Sequence, residues 1–211
     1  MPGNSDPIVL HAVSGTVTLR QSSAPAALPP DAGRVLLALA RRAIATELGL
    51  SHPEHARPSW LEQHGACFIT LTSGGRLRGC VGTLRAHRAL GEDVRENAIA
   101  AAFRDPRFKP LVQEEFFTVA LEISVLSALE PLAFASEREA LAQLRPGVDG
   151  LVFEYGHHAS TFLPQVWEDL KEPADFLAHL KYKAGLPPDF WDEEVKLSRY
   201  TVTKWRETDP S

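Results

Sequence analysis

Ser73-Gly74-Gly75-Arg76 is the stretch that most narrows what this chain can become. Two runs rich in Phe, Ile, Thr, Leu and Val flank it, Cys67 to Thr72 and Leu77 to Thr83. A Gly-Gly pair accepts positive φ at both central positions of a two-residue loop, so a β-hairpin is expected. A register set by that turn alone pairs Ser73 with Arg76 and Thr72 with Leu77, and counting back sets Ile69 opposite Cys80 and Cys67 opposite Gly82. With a side-chain period of two, Cys67, Ile69, Leu71, Arg78 and Cys80 then share one face. Gly79 and Gly82 bracket Cys80 and let the backbone bend or another group approach, which makes a pocket floor carrying a thiol. The plainer role for a cysteine is that of a small packed hydrophobe, and Cys67, beside Phe68 and Ile69, reads that way. An arginine near Cys80 would favour its thiolate, and Arg78 is the candidate.

The rest of the chain supplies scaffold. Residues 1–30 are rich in proline and read as an extension in which Ile8 to Leu19 alternates enough for an edge strand. From Asp31, Val35, Leu36, Leu39, Ala40, Ala43, Ile44 and Leu48 recur at helical spacing, with Asp31 as cap and Gly49 as stop. His52 and His55 are three apart, but Pro53 separates them and no further ligand completes a metal set. A second helix spans about Ala89 to Arg104, with Glu92 and Asp93 in its first turn, and ends at Asp105-Pro106. Arg104, Asp105 and Arg107 form a charged knot, read as solvent-facing or a local ion pair. Val119 to Leu126 alternates as a strand with Glu122 on its less apolar face, a candidate base if that face lines a cleft.

Ser136 and Glu139 mark a capping box for a short helix. Gly150 to Tyr155 and Ser160 to Leu163 read as strands joined through Gly156-His157-His158-Ala159. Helices opened by Pro164 and Pro173 follow, and Val195 to Trp205 alternates as one last strand. Hairpins and irregularly placed helices imply an α+β fold, a mostly antiparallel sheet flanked by helices.

Composition limits the function. A formal charge of -5 argues against a general nucleic-acid or membrane-surface binder. Two cysteines form no disulfide framework, the start lacks a signal-peptide pattern, and no apolar run is long enough to cross a bilayer. A cytoplasmic protein without a membrane segment is expected. No phosphate loop or dinucleotide fingerprint is present, so no cofactor is expected; Arg76, Arg78, Arg85 and Arg88 offer at most a local anion site.

The segments LRGCVGTL (77–84), AAFRDPRF (101–108), LEISVLS (121–127), RPGVDGLVF (145–153), TFLPQVW (161–167) and FLAHLKYKAGLP (176–187) together resemble the AmmeMemoRadiSam system protein A family. Its members are bacterial and archaeal relatives of the human protein named for a syndrome of Alport disease, midface hypoplasia and elliptocytosis. Val81 stands where that family usually has isoleucine, and Ala159-Ser160 where Arg-Gly is expected. The resemblance covers about Asp31 to Trp205 and implies one domain, with two lobes around a cleft, followed by a tail at 206–211. It carries Arg78, Gly79 and Cys80 over as family positions and implies a Memo-like protein and a radical SAM protein as partners.

Two classes of function fit. One is an enzyme using Cys80 on a small substrate, with Arg78 and Glu122 as catalytic candidates and Gly79, Gly82 and Thr83 as binding positions; His157 and His158 are alternative bases. The other is a binding or adaptor subunit of that system in which Cys80 only packs.

Overall fold

The structure, a computed structural model, describes residues 28–51 and 58–207. The expected strand at 8–19 and the pair His52 and His55 lie outside the described residues. Among the described residues are five α-helices and two antiparallel sheets, an α+β fold. They fall into two compact units, one of residues 28–129 with 200–207, the other Glu130–Arg199. No helix among the described residues is long and apolar enough to cross a membrane.

In the first unit helix α1 (Ala32–Glu47) is followed by strands β1 (His64–Ser73), β2 (Arg76–Gly82) and β3 (Arg88–Ala89). Helices α2 (Leu90–Phe103) and α3 (Gln113–Phe116) and strand β4 (Val119–Leu126) come next, and β9 (Val202–Arg206) arrives late in the chain. The sheet order is β2-β1-β4-β9, with β3 joined to β1. Gly74 and Gly75 take φ of +54° and +74°, as a two-residue turn requires. Helices α1 and α2 cover one face: Leu36, Ala40 and Ile44 with Val94, Ala98 and Ala101 meet Cys67, Ile69, Leu71, Leu121 and Ile123 in one buried cluster. Apolar area removed from water there is the main stabilising term of the unit. Asp31 makes no capping bond to α1; its carboxylate pairs instead with Arg34 at 3.0 Å.

The second unit holds β5 (Glu130–Pro131), α4 (Glu137–Gln143), β6 (Gly150–Tyr155), β7 (His158–Phe162), α5 (Pro173–Lys183) and β8 (Lys196–Tyr200), with sheet order β5-β8-β6-β7. The expected capping box is half formed: Ser136 Oγ accepts the Glu139 N–H, but Glu139 Oε2 accepts the N–H of Ala135, one residue before the cap, instead of that of Ser136. Trp167 stacks on Phe176 with ring centres 3.8 Å apart while its Nε1–H reaches the Asp149 carbonyl, so an amphipathic side chain is satisfied in the core. The hairpin loop is shorter than expected, because Tyr155 pairs directly with His158 and Gly156-His157 alone makes the turn. The last expected strand is in fact two. It breaks at Thr201, β8 joining the second sheet and β9 pairing with β4 in the first.

Candidate functional site

The hairpin register departs from simple counting at one place. Ser73 pairs with Arg76 and Thr72 with Leu77 as the turn dictates, but Leu71 then pairs with Gly79, leaving Arg78 as an extra residue in a bulge. The slip of one residue carries every later side chain of β2 to the opposite face. Cys80 therefore does not share a face with Cys67. It lies opposite Thr70, on the face away from α1 and α2, while Val81 takes the inward position opposite Ile69.

That outer face carries a row of polar side chains. Thr70 stands between Cys80 on β2 and Glu122 on β4, and Glu122 is paired in turn with Arg206 on β9. Thr70 Oγ1 lies 3.4 Å from Cys80 Sγ, with the hydroxyl donating to sulfur. Lys204 Nζ is 4.0 Å from Glu122 Oε1. The half-buried thiol thus shares a face with a hydroxyl, a carboxylate and two cations. Burial is the largest influence on Cys80 and pushes its thiol up; the Thr70 hydrogen bond and the Arg107 charge pull the other way, and Asp105 and Glu122 add to the rise. Cys80 rests as a neutral thiol.

Both backbone groups of Cys80 are held from the open edge of the sheet. Its N–H donates to Asp105 Oδ2 at 2.9 Å, and its carbonyl accepts from Arg107 Nη2 at 3.2 Å. Asp105 and Arg107 also grip each other, Nε to Oδ1 at 2.9 Å and Nη2 to Oδ2 at 2.7 Å. Asp105 is 5% exposed, and Arg107, helped by backbone N–H donors, holds its carboxyl down at about 2. The charged knot of the sequence is thus built into the Cys80 site. Its partner lies 25 residues away in the chain, and no local spacing could announce it.

Arg78 is occupied elsewhere. Its Nε and Nη2 form a paired contact with Glu115, 2.9 Å each, Nη2 also reaches the Lys109 carbonyl, and Nη1 is buried without a partner among the described residues. The cation whose charge bears on Cys80 is Arg107, not Arg78. The three expected binding positions have internal uses. A Cβ on Gly79 would come within 2.1 Å of the Ala101 carbonyl oxygen of α2, and one on Gly82 within 2.2 Å of the Phe68 ring. Glycine is what allows both approaches. Thr83 donates to Asp93 Oδ1 at 2.8 Å inside a buried cluster. In the second unit, His158 Nδ1 is 2.8 Å from the Ala184 carbonyl and its ring lies against His157.

With this geometry in hand, comparison with known proteins is decisive for descent. A family model described as AMMECR1 matches residues 37–205. The chain belongs to the AMMECR1 family. A protein of Methanothermobacter thermautotrophicus is 38% identical over 188 residues, 86% of this chain and 97% of that one. Another from Methanocaldococcus jannaschii is also 38% identical, over 161 residues, 72% of this chain and 78% of its own. The crystal structure of a Pyrococcus horikoshii protein superposes with a TM-score of 0.74 at 34% identity, covering 84% of this chain and 92% of that one. The resemblance read from the six segments is therefore correct at the level of the AMMECR1 family, and the segments it rested on include both LRGC and RDPRF.

Proposed function

We propose that this AMMECR1-family chain is a cysteine-dependent enzyme acting on a small polar substrate at the outer face of β1, β2 and β4. The observation that carries the reading is the register slip, which turns Cys80 out of the core into line with Thr70 and Glu122. In the reaction the sulfur attacks a carbonyl carbon of the substrate, the carbon–sulfur bond forming as the C=O π pair moves onto oxygen, while the thiol proton passes through water to the Glu122 carboxylate on the far side of Thr70. Thr70 Oγ1, already donating to Sγ, stabilises the thiolate during that step. Because the resting thiol is neutral, attack waits for a bound substrate whose polar groups complete the proton path from the sulfur to Glu122. The test is iodoacetamide labelling of the full chain, read residue by residue by mass spectrometry from pH 6 to 10. Cys80 is expected to label with Cys67 protected, and Glu122→Gln to move the Cys80 profile. Labelling of Cys80 no faster than that of Cys67 overturns the reading.

A second reading is supported by how much of the LRGC block is used internally, with Arg78 on Glu115 and Gly79 under α2. There the chain is an adaptor for the Memo-like and radical SAM partners that its resemblance implies. Co-purification with those partners that survives Cys80→Ser, with their joint activity intact, favours the adaptor; loss of activity with assembly intact favours the enzyme.

A further inference from the structure

Strand β2 is the terminal strand of its sheet, so every second residue turns its N–H and C=O outward, where a missing neighbour would have paired with them. At Cys80 these groups are not left open. A carboxylate takes the N–H and a guanidinium takes the C=O, and the two are fastened to each other. One side-chain pair thus reproduces the donor and acceptor of an absent strand at a single residue, the one bearing the thiol. Because Cys80 spends its backbone groups outward, it faces Thr70 as a closely spaced, non-hydrogen-bonded pair, the geometry that brings Thr70 Oγ1 to the sulfur.

We infer that Asp105 and Arg107 form the positioning pair of the Cys80 site, with Asp105 fixing the strand edge and Arg107 supplying the positive charge that steadies the thiolate. The inference rests on the enzymatic reading above and adds residues that reading does not contain. The geometry favours Arg107 over every other cation near the site. Arg78 is tied to Glu115 and the Lys109 carbonyl, Lys204 stands beside Glu122 across two strands, and Arg206, opposite Glu122 on β9, turns its guanidinium to Thr72 Oγ1 at 3.4 Å. Arg107 is fixed on three sides, by the two oxygens of Asp105, by the Cys80 carbonyl, and by the Phe108 ring, whose centre lies 5.5 Å from its guanidinium carbon. Its side chain is still 35% exposed, so the outer edge of the guanidinium can meet an anionic group. The charged or titratable groups set around the sulfur are then Asp105 and Arg107 from the segment after α2 and Glu122 from β4, with the Thr70 hydroxyl from β1.

The experiment is the Cys80 labelling rate against pH in the full chain, comparing the natural protein with Arg107→Gln and Arg107→Lys. Loss of the charge moves the midpoint up, so Arg107→Gln labels about three- to tenfold more slowly near pH 7.5 while reaching the same rate at high pH. Arg107→Lys recovers most of the lost rate. A merely structural brace gives the opposite sign, because loosening the edge exposes the sulfur and speeds labelling at every pH. That outcome, or an unchanged profile in Arg107→Gln, overturns the inference while leaving Cys80 as nucleophile. Failure of Cys80 to label in the natural protein overturns the enzymatic reading itself, and this inference with it.

Discussion

The two cysteines are held by the same device placed in two settings. At Cys67 the backbone N–H donates to Asp93 Oδ2 at 2.9 Å, and Asp93 is paired with Arg88; at Cys80 the N–H donates to Asp105 Oδ2 at 2.9 Å, and Asp105 is paired with Arg107. Around Asp93 the arrangement is closed. The carboxylate has no exposure and also receives Thr83 and Asn97, while the Cys67 thiol is sealed and pushed well above its ordinary range, chiefly by burial. Around Asp105 the arrangement is open on one side, and its thiol looks onto a polar face. An aspartate–arginine clasp is therefore a way of fixing a strand, and the clasp alone does not make a site. What separates the two settings is the bulge at Arg78, which turns one of the two clasped cysteines outward onto the polar face.

If the closed cluster is structural, breaking it produces the largest effect. Asp93→Ala strands the Arg88 charge, the Cys67 N–H and the Thr83 and Asn97 donors, and is expected to cost about 3–5 kcal/mol in urea unfolding of the full chain. Asp105→Ala leaves Arg107 able to turn to water and is expected to cost about 1–3 kcal/mol. Equal losses would erase the distinction between the two settings. Acid separates them further. The Asp105 carboxyl is lowered in the folded chain from 3.8 to about 2, so its contribution is complete above the ordinary carboxylate value and is lost as pH falls toward 2. Asp105→Asn is expected to remove that part of the acid dependence between pH 4 and 2, measured as unfolding midpoint against pH.

Much of this frame is legible in the residues themselves. Alternation in Val119 to Leu126 and helical spacing in residues 35–48 each follow from burying one face of an element, and Gly74-Gly75 announces its turn because other residues resist positive φ. The candidate site is legible only in part, for definite reasons. Turn chemistry sets the register only as far as the first irregularity, and the bulge at Arg78 comes two residues later, where the side chain is drawn off by Glu115. Apolar residues fall on odd positions at Val195 and Leu197 and on even ones at Tyr200 and Val202, so the phase does shift beside the change of sheet at Thr201, and reading 195–205 as one strand passes over that shift. Asp105 and Arg107 read as a local ion pair because their main partner is the backbone of Cys80, and a backbone group has no letter in a sequence.

Exchange of each sulfur for oxygen sharpens the comparison at smaller scale. Cys67→Ser puts a hydroxyl among Ile69, Val94 and their neighbours and is expected to cost about 2–3 kcal/mol. Cys80→Ser places its hydroxyl beside Thr70 on the polar face and is expected to cost less than about 1 kcal/mol. Both are read by urea unfolding. A large loss in Cys80→Ser would mean that the outer sulfur packs as the inner one does.

The finest distinction lies in the group donating to each sulfur, Asn97 Nδ2 at 3.7 Å from Cys67 Sγ and Thr70 Oγ1 at 3.4 Å from Cys80 Sγ. Asn97 also supports the Cys67 carbonyl, Thr83 and Asp93, so Asn97→Ala is expected to lower stability by about 1–3 kcal/mol while Cys80 labels as in the natural protein. Thr70→Val keeps the shape of its side chain and removes only the hydroxyl that favours the Cys80 thiolate. Its expected signature is the reverse: stability changed by no more than about 0.5–1.5 kcal/mol, and Cys80 labelling near pH 7.5 slowed about two- to fivefold with the high-pH rate retained. If Thr70→Val speeds labelling instead, the hydroxyl acts as a lid on the sulfur, and the row from Cys80 to Glu122 loses the link on which its chemistry depends.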